Sequence, residues 1–186
     1  MKDKKTMPAT QNLLNQLLLL QSEQELSVIL KTNDRSKTYG LTLTADDAKD
    51  LLVCRKVSLK DYQRVEFGSS ILKELIYHFC DSPYLSQDNY LSTLEKLQDI
   101  FYQFKNRCND EITDTELLNF MEEQFNGVCN GDTDYLENTC LERFSTAIRS
   151  GYRGYHYSDG LNEYDNLDEE VHWDKNLYYE ALKNLF

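Results

Sequence analysis

From Tyr90 to Phe104 the large apolar residues Tyr90, Leu94, Leu97, Phe101 and Phe104 recur at steps of 4, 3, 4 and 3. That spacing keeps one face of a helix apolar turn after turn and is incompatible with a strand, whose faces alternate every second residue. A narrow seam of this kind demands a helix to pack on, in the same chain or in another subunit, and predicts that all five residues are buried. The rest of the chain offers matching partners. Ile71, Leu72, Leu75, Ile76 and Phe79, following Phe67, form a second stripe that must end before Pro83. Leu118, Met121 and Phe125 form a third, and Leu136, Cys140, Phe144, Ala147 and Ile148 a fourth that stops at Gly151. With 7 Gly and 2 Pro in 186 residues, turns are too sparse for a β-sandwich.

Capping residues mark where helices begin. Thr44 precedes Asp46 and Asp47, placed where the helix dipole favours negative charge. Thr113 with Glu116 makes a capping box, and Ile112 with Leu117 a hydrophobic staple; Ser22 with Glu25 has the same signature ahead of Leu26, Ile29 and Leu30. Ser86 is expected to cap the helix that carries Tyr90, with Leu85 and Tyr90 as its staple. Leu13, Leu14, Leu17, Leu18 and Leu20 also recur at helical spacing. The segment from Lys31 to Tyr39 has no aliphatic residue and closes at Gly40, so it is expected to be a linker or an exposed turn. Leu41 and Leu43 alternate like a short strand, but no second strand pattern exists to pair with, and they are expected to lead into the Thr44 helix instead.

The expected fold is all-α: a single-domain irregular bundle of about six or seven helices. Residues 1–38 are expected to form a helical N-terminal segment and linker, and 39–152 a helical core domain. Residues 153–186 are expected to form an acidic, Tyr-rich segment ending in an amphipathic helix. That last stretch carries Leu177, Tyr178, Ala181, Leu182 and Leu185 and is expected to dock back on the body.

Charge and cysteine usage narrow the function. The formal net charge is −12, with 10 basic and 7 acidic side chains in residues 1–60 against 10 basic and 25 acidic in residues 61–186. An acidic body gains nothing from phosphate counterion release, so nucleic acid is not an expected partner; a protein partner or self-association is. Cys54, Cys80, Cys108, Cys129 and Cys140 are odd in number, far apart in the chain and include no CxxC pair, which argues against a zinc site and a disulfide framework. Five reduced thiols in a cytoplasmic protein are expected. Asn and Gln interrupt the N-terminal leucines, leaving a run too short to span a bilayer, and no secretion signal or membrane association is expected.

The runs YGLTLTADDAKDLL, RVEFGSSILKELIYHFCDSPYLSQDNYLSTLEKLQDIFYQFKN, FMEEQFNGVCNGDTDYLENTCLERF and AIRSGY span Tyr39 to Tyr152. This stretch resembles an uncharacterised bacterial domain-of-unknown-function family, typical of Gram-positive anaerobes. The resemblance implies one helical domain from a bacterial cytoplasm, and no reaction, ligand or catalytic residue.

Individual constellations point the same way. His78, Cys80 and Asp81 do not form a nucleophile–base pair on a helix, because residues two apart diverge. Glu74 and His78 lie four apart, unlike the doubled Glu-x-x-His of di-metal bundles, and read as an exposed helix pair. Arg64 and Glu66 before Phe67, Gly68, Ser69 and Ser70 resemble an anion-binding turn, but helix capping explains them without a ligand. Arg149, Tyr152, Arg153, Tyr155 and Tyr157 lie beside too many carboxylates for a nucleic-acid surface. The stretch from Phe125 to Glu137 looks like a calcium hand: a twelve-residue loop counted from Asn126 has Gly131 at position 6, Asp134 at 9 and Glu137 at 12. Position 1 is Asn126, position 3 is Val128 and position 5 is Asn130, so the ligand set is deficient. The expected reading is a turn in which Gly127 ends one helix, Asn130 and Gly131 reverse the chain, and Asp134 and Glu137 cap the next helix. No catalytic, cofactor-binding or metal-binding residue is assigned. A non-enzymatic protein-interaction or regulatory module is the expected class, the alternative being an enzyme with a scattered acidic and aromatic site.

Overall fold

A computed structural model describes residue 20 and residues 22–66 and 71–151. Six helices, with short helical turns between them, make up the secondary structure of the described residues, and no strand occurs among those residues. They are α1 (22–31), α2 (Ala45–Asp61), α3 (Ile71–Phe79), α4 (Tyr90–Arg107), α5 (Asp114–Asn126) and α6, which runs through Thr133–Tyr135, Leu136–Leu141 and Glu142–Arg149. The chain divides into two compact units, Met1–Glu95 and Lys96–Phe186, with the division inside α4. The expected helices of residues 1–19 and 176–186 lie outside the described residues.

In the first unit the segment from Lys31 to Tyr39 is not a linker. It forms a helical turn, Asn33–Ser36, and a 3-10 turn, Lys37–Tyr39, ended by Gly40 in the left-handed region at φ 78°. Thr32, Asn33 and Ser36 are buried there, and the Asn33–Ser36 turn packs on α3. Polar residues are buried because they serve the extended stretch that follows, in which Leu41 and Leu43 fill the core. The Leu41 N–H donates to the Ser36 carbonyl (3.1 Å), and the Ser36 hydroxyl donates to the Leu41 carbonyl (3.0 Å). Asn33 accepts from the Leu43 N–H and donates to the Leu43 carbonyl, both at 2.8 Å. Gln87 treats Thr42 in the same way, at 2.8 and 2.9 Å. Side-chain amides thus take the place of a neighbouring strand, satisfying backbone groups that would be costly to bury unpaired. Thr44 then closes a capping box with Asp47 and starts α2, as expected.

Two expected helix starts differ. Ser22 lies within helical backbone, and Glu25 reaches Arg55 on α2 (3.5 Å) instead of capping α1. Ser86 opens a turn of its own, its N–H bonded to Asn89 Oδ1 (2.8 Å), and α4 begins only at Tyr90. The delay is due to Asn89, whose side chain folds back on Ser86 while its carbonyl takes the first helical bond, from the Thr93 N–H (2.9 Å).

The five seam residues of α4 are buried, as their spacing demands, but the burial is wider than a seam. Gln98, Ile100, Tyr102 and Lys105 are buried as well, and only Ser92 and Asn106 of this helix are exposed. In the second unit Lys105 explains how a charge is tolerated. Its ammonium donates to the Ile112 carbonyl (2.6 Å) and pairs with Asp114 (2.8 Å), fastening the end of α4 to the start of α5. Thr113 and Glu116 form the expected capping box on α5. Phe120 of α5 stacks on Phe144 of α6 with ring centroids 4.0 Å apart.

The Asn33 clamp separates buried from exposed amide pairing. Asn33→Ala leaves both main-chain groups of Leu43 buried and unpaired, so it should lower the unfolding free energy by about 2–4 kcal/mol. Gln87→Ala, whose Thr42 partners water can reach, should cost under about 1 kcal/mol. Urea unfolding of both variants checks the contrast, and equal small losses would show that the clamp is not structural.

Candidate functional site

The anion-binding reading of residues 64–70 meets a carboxylate already in place. Glu66 Oε1 accepts from the N–H of Ile71, the first residue of α3 (2.6 Å), and Glu66 Oε2 accepts from buried Arg55 (2.5 Å). Arg55 also pairs with Glu25, so α1, α2 and the entry to α3 share one ionic group. Capping is therefore the role here, with Glu66 as the capping acid; Phe67, Gly68, Ser69 and Ser70 lie outside the described residues. Glu66 thus brings a negative charge of the chain's own to the N–H of Ile71.

Cys80 lies buried just after α3, donating to the Tyr77 carbonyl (3.6 Å), and burial pushes its thiol above the ordinary cysteine range. The nearby Asp81 pairs with Arg35 (3.8 Å), whose guanidinium also lies over the Tyr77 ring. Glu74 is exposed and pairs with Lys73 (3.9 Å). Of the arginine–tyrosine group only Arg149 is described, and it donates to the Ser145 carbonyl (3.4 Å); Tyr152, Arg153, Tyr155 and Tyr157 lie outside the described residues. Among the described residues no three His, Cys, Asp or Glu side chains cluster to hold a metal.

The turn from Phe125 to Glu137 follows the expected plan in its first half. Gly127 ends α5 with φ −96° and ψ −98°, in a place where a Cβ would meet the Glu123 carbonyl oxygen at 2.8 Å. Asn130 and Gly131 follow at φ 50° and 83°. The second half is corrected: Asp132, not Asp134, caps α6, accepting from the N–H groups of Asp134 and Tyr135 (2.9 Å each). Glu137 does not reach back to the cap. It pairs with Lys96 of α4 at 2.5 Å, a bond that holds the Lys96 ammonium above its ordinary range. With its amide oriented by its neighbours, Gln103 donates to Glu137 (3.0 Å) and accepts from Arg107 (3.1 Å), and Arg107 bonds Glu142. Two carboxylates of α6 are thereby docked on three side chains of α4.

At Glu137 α6 widens into a π-helical turn, Leu136–Leu141, which ends just before Glu142. Asn138 Nδ2 donates to the Asp134 carbonyl (3.0 Å), the acceptor that an α-helical ladder would give to the Asn138 N–H, and such insertion is a recognised cause of local widening. Cys140 of this turn faces Cys129 of the preceding loop with their sulfurs 3.6 Å apart, both buried. Spacing in the chain alone places these cysteines far apart. The eleven positions that separate them conceal a chain reversal that brings them together.

The exposed apolar residues gather differently. Val53 and Val57, one turn apart on the outer face of α2, are 58% and 52% exposed, with Lys49, Asp50, Lys56, Lys60 and Asp61 exposed around them. A shallow open depression of about 370 Å³ runs along α1, lined by Glu23, Leu26, Ser27, Leu30, Lys31 and Asp34. No helix among the described residues is long and apolar enough to cross a membrane.

The model of a family of unknown function, DUF6323, matches residues 28–154. The chain belongs to this family. The match agrees with the resemblance carried by Tyr39 to Tyr152 and extends it upstream across the end of α1 and the Asn33 turn. No curated protein and no solved structure matches the chain.

Because Glu137 serves Lys96, calcium titration by calorimetry at physiological ionic strength should give no saturable heat at micromolar ion. Glu137→Gln should cost only about 0.5–1 kcal/mol, since Lys96 is partly solvated. Saturable binding that Glu137→Gln abolishes would overturn the turn reading.

Proposed function

We propose that this member of the family is a non-enzymatic protein-interaction or regulatory module, working in a reducing cytoplasmic compartment. The valine pair on α2 carries the reading. Two β-branched side chains at i and i+4 stand next to each other on a helix, and each here is more than half exposed. Such a stripe, rimmed by Lys49, Asp50, Lys56, Lys60 and Asp61, has the composition of a helix face that a protein partner covers: an apolar centre inside a charged border. Five free thiols support the compartment.

Replacing both valines by aspartate tests the face directly. Val53→Asp with Val57→Asp should leave the helical circular dichroism and thermal midpoint unchanged, because neither side chain is part of the core. Affinity capture from native lysate should then return at least about tenfold less of any partner retained by the unmodified chain, the loss expected when about 1.4 kcal/mol of contact is removed. Equal recovery on both chains would contradict the proposal.

A further inference from the structure

Cys129 and Cys140 are two buried thiols that the fold brings into direct contact. We propose that Cys129 and Cys140 form a redox-active dithiol, a modification site that hydrogen peroxide converts to an intramolecular disulfide. This inference stands independently of the α2 interaction face. The sulfurs are 3.6 Å apart, already in S–H···S contact, and about 1.5 Å of approach completes a covalent S–S bond of ordinary length. Both sulfurs belong to irregular backbone. Cys129 sits between Gly127 and the left-handed Asn130 and Gly131, and Cys140 sits in the π-helical turn. Neither is locked in a regular ladder that the approach would have to break, and π turns recur at functional positions.

Chemistry distinguishes the two sulfurs. The S–H···S contact with Cys129 and the positive charge of Arg143, one turn further along α6, hold the Cys140 thiol below its ordinary range, while the same contact and burial push Cys129 well above it. Cys140 is also the more open of the two, 7% exposed against 4%. Cys140 is therefore the attacking sulfur and Cys129 the resolving one. In the first step a Cys140 sulfur–oxygen bond forms as the peroxide O–O bond breaks, and one water leaves with the thiol proton. In the second, Cys129 attacks the sulfenic sulfur of Cys140, the S–S bond forms, the S–O bond breaks, and a second water departs. Two thiols are oxidised by two electrons in total and one peroxide is reduced to two waters.

The other cysteines provide an internal comparison. Burial pushes Cys108 up to about 11 and raises Cys80, and neither has a thiol neighbour among the described residues. Cys54 donates to the Glu95 carbonyl at 3.8 Å.

The full reduced chain, exposed to a small excess of hydrogen peroxide, quenched, alkylated in denaturant and mapped by mass spectrometry, decides the matter. The expected result is loss of two alkylatable thiols, a cross-linked peptide pair containing Cys129 and Cys140, and reaction at least about tenfold faster than at Cys54, Cys80 or Cys108, in line with thiolate control of reactivity. In Cys129→Ser, a sulfenic-acid trap should label Cys140; in Cys140→Ser, Cys129 should remain unlabelled. Five thiols surviving in the unmodified chain, a disulfide joining any other pair, or equal labelling of Cys129 in Cys140→Ser would overturn the proposal. Because mapping of the unmodified chain is decisive alone, a variant that fails to fold leaves the test intact.

Discussion

A buried backbone group must find a partner, and in this chain the need is sharpest where Leu41 and Leu43 enter the core without belonging to a helix. Six main-chain groups from Leu41 to Leu43 are satisfied by the Ser36 backbone and hydroxyl and by the two amides of Asn33 and Gln87. The Asn33–Ser36 turn can do this because it is itself buried and held against α3. From that anchored stretch Thr44 caps α2, and α2 then carries Arg55, whose guanidinium joins Glu25 of α1 and the Glu66 that caps α3. The order of helices in the first unit thus depends on polar pairing as much as on the leucines.

The second unit applies the same rule with charges. Lys105 is buried only because a carbonyl and Asp114 receive it, and the docking of α6 on α4 rests on Lys96, Gln103 and Arg107 facing Glu137 and Glu142. Exposed members of such networks add little free energy singly, but they fix register. Here they hold the π-helical turn, and with it Cys140, beside the loop that carries Cys129.

What could be read from the sequence followed from periodicity and capping. Apolar stripes gave α3 to α6, Thr44 and Thr113 fixed two helix starts, and Gly127, Asn130 and Gly131 located a reversal. What could not be read involved polar residues whose partners are distant in the chain. A segment without aliphatics reads as exposed, yet Asn33 and Ser36 are buried by bonds to residues that follow Gly40. Glu25, Glu66 and Glu137 have local roles available as caps, but two of them are claimed by Arg55 and Lys96 through contacts no local pattern contains, and Glu66 combines its cap with Arg55. The Cys129–Cys140 pair was hidden for the same reason. Spacing in the chain says little about separation once a turn and a widened helix lie between. The exposed valines of α2 were likewise invisible until the helix's buried face, through Ala48, Leu51, Leu52 and Arg55, was known.

Amide hydrogen exchange at Leu43 measures the central dependence most directly. If Asn33 stands in for a neighbouring strand, the Leu43 N–H, although outside any helix, should exchange as slowly as the amides in the middle of α2. In Asn33→Ala its protection should fall further than theirs. Exchange of the Leu43 amide at the rate of an unstructured chain in the unmodified protein would contradict the account.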